Sequence, residues 1–297
     1  MVKQLVRSTL IFLLILLGFM LILLLPREQE IHVIDAFEID VEYPFGIEVY
    51  KERIEQFITY FQEEKGFGIS RTGVPISEEV NTFLGRSLKI IIPAFLISMI
   101  LGTFVGILQF YYRNRKRGKF SAFVSWLFSS IPDFFLYIAI QFLLIKLIHA
   151  GLPHFNLYGH ENWYSFIIPL LSLLLFPFIH MTRFTAASLE NETGQEYLRT
   201  AYAKGLGNVK ALVHMLWNCW PTILNQAQLV MLYILSSLPI IEKLSGFNGA
   251  GIQLLNSILN NDEVRALAFM LPFLFIMFAT IIISQSIKAI LVPKEMR

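Results

Sequence analysis

The sequence predicts an all-α, polytopic membrane protein with six transmembrane helices. Its 297 residues are 55% hydrophobic and only 15% charged, whereas a soluble domain of this size carries roughly 25% charged residues. The mean hydropathy is +0.60. A bilayer core of ~30 Å is crossed by about 20 mostly apolar helical residues, and six stretches approach that length. These stretches are Leu10 to Pro26, Leu88 to Tyr111, Phe120 to Ile148, Tyr164 to Met181, Leu216 to Ile241 and Ala266 to Leu291.

The first stretch resembles a signal peptide at its start, because Lys3 and Arg7 precede the apolar run. A small-x-small cleavage pattern does not follow it, and Pro26 and Arg27 close it. We therefore interpret residues 1–27 as an uncleaved N-terminal transmembrane anchor.

The distribution of basic residues predicts the orientation. In a six-span arrangement one side of the membrane receives Lys3, Arg7, Arg113, Arg115, Lys116, Arg117, Lys119, Arg183, Arg199, Lys204, Lys210, Lys294 and Arg297. Short cytoplasmic loops carry an excess of Lys and Arg. The sequence therefore predicts a multi-pass protein of the plasma or inner membrane with both termini in the cytoplasm.

The segment between the first two spans, residues 28–84, is predicted to be an extracytoplasmic insert. Its first part is rich in Asp and Glu. A helical period follows in Tyr50, Ile54, Phe57, Ile58 and Phe61. This pattern indicates an amphipathic helix on the outer face, and a surface helix packed on the spans fits it equally well. Residues 85–297 then form a five-helix core.

The loop at 189–216 is too polar to span the membrane and carries helix boundary signals. Thr193 followed by Glu196 has the spacing of a capping box, which predicts a helix start. Lys204 suits the end of that helix, and Gly205 supplies the left-handed residue that stops it. Asn208 is a candidate cap for the next helix.

The result is a short cytosolic helix of about ten residues, ~15 Å long. Ala201 and Ala203 keep it thin, while Tyr197, Leu198 and Tyr202 offer apolar contact area. The pattern favours two interpretations equally: a docking knob for another protein, or an amphipathic helix that lies at the membrane interface.

Polar residues inside spans are the candidate pathway residues, because they usually face a protein interior or a water-filled cavity. Asp133 beside Pro132 is the strongest candidate, since the proline can kink the helix and the carboxylate can meet a cation. A structural ion pair is the alternative. The weaker candidates, which interhelical hydrogen bonds also explain, are Gln141, Asn225, Gln226 and Gln228.

Three glycines after the fifth span, Gly246, Gly249 and Gly251, predict a tight non-helical loop on the outer side. A plain surface turn is the alternative. His149, His154 and His160 cluster around the second outer loop, but their spacing matches no metal motif. Cys219 is the sole cysteine and sits among apolar residues, as a buried, inert thiol does.

Several function classes are excluded by the sequence. Residues 205–210 lack the glycine and hydroxyl positions of a phosphate-binding loop, and zinc-protease and nucleophile-elbow motifs are missing as well. A net charge of +2 is too small for the usual nucleic-acid footprint. We therefore expect a non-catalytic membrane subunit without a cofactor, whose energy comes from a partner.

The cytosolic loop carries a family resemblance. Residues 196–206, Glu-Tyr-Leu-Arg-Thr-Ala-Tyr-Ala-Lys-Gly-Leu, together with Val209, His214 and Asn218, resemble the coupling loop of binding-protein-dependent ABC importer permeases. Further similar patterns follow the family order: Arg71 to Pro75, Ser130 to Pro132, and Glu242 with Phe247, Gly249 and Gly251. Together they cover roughly residues 66–297. The closest type is the first permease of oligopeptide, dipeptide and nickel systems.

This resemblance implies a type I importer permease fold and a role as half of a translocation pore. It also implies four kinds of partner: a second homologous permease, two cytosolic ABC ATPases, an extracytoplasmic solute-binding protein and the lipid bilayer. The residues it implies for ATPase coupling are Glu196, Tyr197, Arg199, Thr200, Ala201, Ala203, Lys204, Gly205 and Leu206. For the outer gate it implies Glu242, Phe247, Gly249 and Gly251.

Peptides are the cargo that the resemblance favours, and nickel or a metal chelate is the alternative. A stand-alone secondary transporter is a rival from another class, although no clear inverted repeat with paired broken helices is visible. A membrane enzyme is a further rival, but the sequence lacks the catalytic motif that such an enzyme would need. An exporter with a fused nucleotide domain lacks room after the sixth span.

Overall fold

The structure is a computed structural model and describes residues 2–25, 30–35, 38–42, 46–70, 73–151, 153, 156 and 158–291. Some residues singled out above lie outside these ranges: Pro26, Arg27, Arg71, His154, Lys294 and Arg297.

The described part of the chain contains ten helices and one small sheet. In chain order these are α1 (Val2–Leu23), β1 (Glu30–Asp35), β2 (Glu38–Glu42), α2 (Ile47–Glu63), α3 (Ile76–Tyr111), α4 (Lys116–Phe128), α5 (Asp133–His149), α6 (Ile167–Glu192), α7 (Glu196–Ala203), α8 (Asn208–Ser245), α9 (Ala250–Leu259) and α10 (Glu263–Leu291). The predicted all-α class is confirmed, with the sheet confined to the segment before α2.

Five helices are long and apolar enough to cross a membrane: α1, α3, α6, α8 and α10. The pair α4 and α5 makes a sixth span if its two members are taken together. These six coincide with the six apolar stretches of the sequence, so length and hydropathy predicted the spans well.

The third span is not one straight helix. The axes of α4 and α5 differ by 102° across a break of a few residues. Pro132 is the residue before α5, with an extended backbone at φ −62° and ψ 144°. Because proline cannot donate the backbone hydrogen bond that a continuous helix needs, the sequence indicated a kink here. The structure shows a full break instead.

The closest packing in the core joins α3 to α6. Gly102 and Gly106 lie four residues apart on α3, the small-xxx-small spacing that lets two membrane helices approach. A Cβ atom on Gly106 would lie 2.6 Å from the carbonyl oxygen of Thr182 in α6, and one on Gly102 would lie 2.7 Å from Cβ of Met181. The two backbones therefore meet without side chains between them.

The main hydrophobic core lies where α3, α6 and α8 meet. Ile90, Met181, Ile223 and Ile234 are fully buried there, and Phe269 of α10 closes the cluster. Outward-facing positions of the same helices carry large exposed apolar side chains such as Ile100 and Leu232. This pattern fits helices whose outer faces lie in a bilayer.

The segment before α3 is fastened to the spans. β1 and β2 pair antiparallel, with Glu30 opposite Glu42. The predicted amphipathic helix is present as α2, where Phe57 packs against a second core cluster around Leu23 and Met270.

Two polar contacts hold α2 in place. The hydroxyl of Tyr50 donates a 2.7 Å hydrogen bond to the carbonyl of Leu21. The guanidinium of Arg53 pairs with Glu263 of α10 at 2.9 Å. The helix thus packs on the spans, the second of the two interpretations above.

Candidate functional site

The loop at 189–216, which the sequence predicts to be cytosolic, contains α7, a helix of eight residues. It begins at Glu196, two residues later than a cap at Thr193 would place it, so the predicted capping box is wrong. Thr193 lies at the end of α6, and its hydroxyl donates to the carbonyl of Leu189 at 3.4 Å. Gln195 occupies the residue before α7 without a side-chain capping bond. The cap predicted for Asn208 is also wrong, because α8 begins at that residue after Gly207.

The two sides of α7 differ in their exposure to solvent. Leu198 and Ala201 are buried against the rest of the chain, with Ala201 only 7% exposed. The opposite face is open and consists of Glu196, Arg199, Thr200, Tyr202, Ala203 and Lys204. Ala201 therefore packs inward and is not part of a thin outer surface, which corrects that part of the sequence interpretation. Ala203 remains on the open face.

Tyr197 fastens α7 to its neighbours. Its hydroxyl donates a 2.5 Å hydrogen bond to Glu192 at the end of α6. Its ring meets the ring of His214 in α8 edge to face, with centroids 5.8 Å apart. Burial, together with the hydrogen bond to Glu192, raises the pKa of Tyr197 to about 12. The phenol therefore stays protonated and keeps donating at any physiological pH.

The stop signal at the end of α7 is confirmed. Gly205 has φ +82°, in the left-handed region, and its amide bonds to the carbonyl of Tyr202 at 2.9 Å. Leu206 follows half-buried, and its amide reaches back to the carbonyl of Ala201 at 3.1 Å. This is the turn that commonly ends helices at glycine.

On the side predicted to be extracytoplasmic, Glu242 forms the centre of a buried cluster. It is 0% exposed and lies near the end of α8. Its carboxylate accepts a 2.5 Å hydrogen bond from Ser87 of α3 and a 2.9 Å bond from the backbone N–H of Ile252 in α9. The hydroxyl of Ser87 in turn accepts from the N–H of Ala250 at 2.7 Å. The first turn of α9 is thus capped by side chains from two other helices.

The predicted outer glycines explain how this cluster closes. A Cβ atom on Gly249 would overlap the Glu242 carboxylate and the Ser87 hydroxyl. One on Gly251 would come within 3.0 Å of the same carboxylate. Gly246 ends α8 at φ +64°, and the ring of Tyr158 covers it. These glycines are therefore needed for close approach and for a left-handed turn.

The loop from α8 to α9 also contacts the first half of α3 and the loop between α5 and α6. Arg86 donates to the carbonyl of Asn248 at 3.1 Å. Phe247 is buried and meets the ring of His160 edge to face, with centroids 6.5 Å apart. Burial and the nearby Arg86 guanidinium lower the pKa of His160. Phe247 and Glu242 are therefore enclosed by this packing.

The predicted pathway residues do not form one cluster. Asp133 begins α5 beside the break, where its carboxylate accepts from the amide of Phe134 at 2.9 Å. Asn225 is exposed on α8 and accepts from Lys288 of α10 at 3.0 Å. Gln141 and Gln228 are half-buried on α5 and α8. Their roles stay predictions.

One polar pair inside the spans was missed by the sequence analysis. His180 of α6 lies 3.1 Å from Gln226 of α8, between Nε2 and Oε1. Gln226 was considered, but His180 was not. An ionisable side chain within an apolar span is itself a signal of function, so the residue could have been found.

His149 and Cys219 offer weaker support for a functional site. His149 bonds to the carbonyl of Ile145, one turn back along α5. Cys219 is buried. Among the described residues, no group of three or more His, Cys, Asp or Glu side chains lies close enough together to hold a metal ion.

Comparison with known proteins places the core of the chain in a family. Residues 94–297 match the family described as binding-protein-dependent transport system inner membrane component. The glutathione transport system permease protein GsiC of Escherichia coli K12 is 28% identical over 216 residues, which cover 71% of this chain and 69% of that protein. GsiC of Shigella flexneri serotype 5b is 27% identical with the same coverage.

The fold is also similar to a solved structure. Inward-facing conformations of the MetNI methionine ABC transporter give a TM-score of 0.56 over 72% of this chain and 96% of that chain, at 14% identity. That likeness concerns the fold alone. The family match spans most of the chain, and the predicted spans are in place. The chain therefore belongs to the binding-protein-dependent transport system inner membrane components and is a permease subunit of an ABC importer.

Proposed function

We propose that this chain forms half of the translocation pathway of a peptide importer and is driven by ATPases that dock on α7. The observation that carries the proposal is the two-sided character of α7. Leu198 and Ala201 hold it against the chain, while Arg199, Tyr202 and Ala203 point outward. Tyr202 is 49% exposed, which is a large apolar area for a polar loop. Such a face suits a groove on another protein.

The attachments of α7 support a mechanical role. Leu198 belongs to the same buried cluster as Leu189 of α6 and Met215 of α8. Tyr197 adds a hydrogen bond to α6 and a ring contact to α8. A displacement of α7 by a partner would therefore reach both helices. ATP binding shifts the spans between inward-open and outward-open states only if it favours one state by differential binding.

Peptides are the cargo that we propose. The relatives named above are permeases of a glutathione transport system, and glutathione is itself a small peptide. The other members of the assembly would be a second related permease, two cytosolic ATPases and an extracytoplasmic binding protein. In this arrangement α7 faces the cytoplasm, as the distribution of Lys and Arg predicts.

The test is affinity purification of this chain from its native membrane, followed by uptake of a mixed pool of labelled tripeptides into proteoliposomes. The informative variant is Ala203→Glu, which places a charge on the open face of α7. The matched control is Ala150→Glu, since Ala150 is also exposed and lies at the end of α5. Ala201 is unsuitable because a charge there would be buried.

We expect an ATPase and a second permease to co-purify with the wild-type chain and with Ala150→Glu, and to be depleted at least severalfold with Ala203→Glu. Tripeptide uptake should require ATP, and it should be lower with Ala203→Glu than with the wild-type chain or Ala150→Glu. A wild-type chain that emerges alone and carries tripeptides without ATP would instead establish a secondary transporter.

A further inference from the structure

The pair formed by His180 and Gln226 stands at the middle of α6 and α8, near the predicted inner end of the apolar stretch from Tyr164 to Met181. Thirteen residues precede His180 in α6 and twelve follow it. Both side chains are half-buried, and they join α6 to α8 at 3.1 Å. A polar or ionisable group at this depth faces a protein interior or a water-filled cavity, because contact with lipid is costly.

The polar surface continues along α6 beyond this pair. Arg183 lies one turn further on and is exposed, and its guanidinium donates a 2.9 Å hydrogen bond to the hydroxyl of Ser129 at the break between α4 and α5. Arg183 follows the apolar stretch on its predicted cytoplasmic side, where its guanidinium can meet water. This side of α6 and α8 therefore meets water or another protein.

The hydrogen-bonding capacity of the pair is only partly used by the bond between its members. The carboxamide oxygen of Gln226 can only accept, so Nε2 of His180 donates to it. A neutral imidazole then has its acceptor at Nδ1, and the carboxamide nitrogen of Gln226 brings two donors. One acceptor next to one donor is the complement of a peptide bond, which offers an N–H and a carbonyl.

Aromatic rings border the pair. The ring of Tyr233 meets that of His180 edge to face, with centroids 5.7 Å apart, and the ring of Phe184 stacks on it at 6.1 Å. Phe176 packs edge to face on Tyr233 at 4.7 Å. Apolar walls around a few polar groups are typical of small-molecule sites.

We propose that His180, Gln226 and Tyr233 form an amide-binding cluster, which contacts a peptide bond of the cargo as it crosses the membrane. His180 is the specificity-determining residue of this cluster. The inference rests on the proposed function, because it takes peptide import as given and names the chemical group that is recognised. The rival is an interhelical hydrogen bond that only joins two helices.

The experiment uses the complete importer in proteoliposomes with two labelled probes. One is trialanine, and the other is its analogue in which an ester replaces the central amide and removes the N–H. His180→Phe keeps an aromatic ring and removes both nitrogens. Gln226→Met keeps length and removes the amide, and serves if the first variant folds poorly. The matched control is His149→Phe, at the exposed end of α5.

We expect the ratio of trialanine uptake to ester uptake to fall roughly fivefold to tenfold in His180→Phe, as is typical for the loss of one hydrogen bond. His149→Phe should leave the ratio unchanged. The preference of the binding protein is the same in every sample, so it cancels when the ratios are compared.

Each other result counts against a specific statement. If His180→Phe slows the uptake of both probes equally, or of neither, the pair only joins two helices. The amide-binding cluster is then overturned, while peptide import stands. If the wild-type importer carries no member of the tripeptide pool, peptide import itself is overturned and the cluster falls with it.

Discussion

Glu242 illustrates how a residue with a predicted gating role is placed at atomic scale. The sequence analysis assigned it to the outer gate, and the structure encloses it between α3, α8 and the start of α9. A buried carboxylate is tolerated only when hydrogen bonds compensate for lost hydration. Here Ser87 and the N–H of Ile252 supply these bonds. The residue therefore fixes the position of α9, and its gating role stays a prediction.

The first prediction concerns the glycine beside this carboxylate. Gly249→Ala should lower the free energy of unfolding by about 1–3 kcal/mol, because the added methyl overlaps the Glu242 carboxylate and the Ser87 hydroxyl. Thermal unfolding of the purified protein in detergent micelles measures the change.

The control for this variant is Gly85→Ala. Gly85 lies on α3 with open space around it, so alanine should be neutral or stabilise the helix by up to about 1 kcal/mol. Equal loss of stability in both variants would contradict the packing argument.

At this scale the sequence could predict residue types but not their partners. Glycines at 246, 249 and 251 predicted a tight non-helical loop, which holds for Gly246 and Gly249 and is wrong for Gly251, since Gly251 lies in the first turn of α9. The bond from Ser87 to Glu242 joins residues 155 positions apart. A local pattern does not contain such a pairing, because it depends on how whole helices pack.

At the scale of elements, α7 shows which helix signals were reliable. Gly205 ended the helix as predicted, because a left-handed residue without a Cβ is a strong local signal. The capping box failed because α6 continues to Glu192 and leaves Thr193 at its end, where the hydroxyl bonds backward to Leu189. Ser and Thr hydroxyls form hydrogen bonds at both ends of helices. The spacing of Thr193 and Glu196 alone therefore could not decide whether Thr193 ends α6 or begins α7.

The second prediction tests this stop. Gly205→Ala should cost about 1–3 kcal/mol locally, since alanine is strained at φ +82° although the space around it is open. The end of α7 should then shift, and ATPase stimulation by the loaded binding protein should fall severalfold in the reconstituted importer.

The comparison variant is Gly207→Ala, two residues further on. Gly207 has φ −72° and open space as well, so alanine fits its backbone. ATPase stimulation should remain near the wild-type rate. If both variants behave alike, the left-handed turn does not set the position of α7.

At the scale of the whole molecule, hydropathy predicted the six spans, because each span must satisfy the bilayer by itself. It could not predict the 102° break between α4 and α5. Nor could it predict the pair β1 and β2 or the contact between Arg53 and Glu263, 210 residues apart. These features depend on tertiary contacts, which composition does not encode.

The third prediction concerns orientation. Cys219 is the sole cysteine and is buried, so Cys219→Ala gives a background without thiols. On that background, Glu161→Cys should react with a membrane-impermeant maleimide in intact cells. Asn114→Cys should react only after the membrane is opened. Both positions are exposed in the structure, so access alone decides the outcome, and the reverse labelling would invert the predicted topology.

The break between α4 and α5 also has a consequence for biosynthesis. At 13 and 17 residues, these helices are ~20 and ~26 Å long, and neither reaches across a hydrocarbon core of ~30 Å. During translation, α4 therefore emerges as a segment that the insertion machinery cannot yet release into lipid. At roughly 5–20 residues per second, α5 follows within about one to four seconds. We therefore expect the two halves to enter the membrane as one unit, and a chain truncated before α5 to keep α4 out of the lipid.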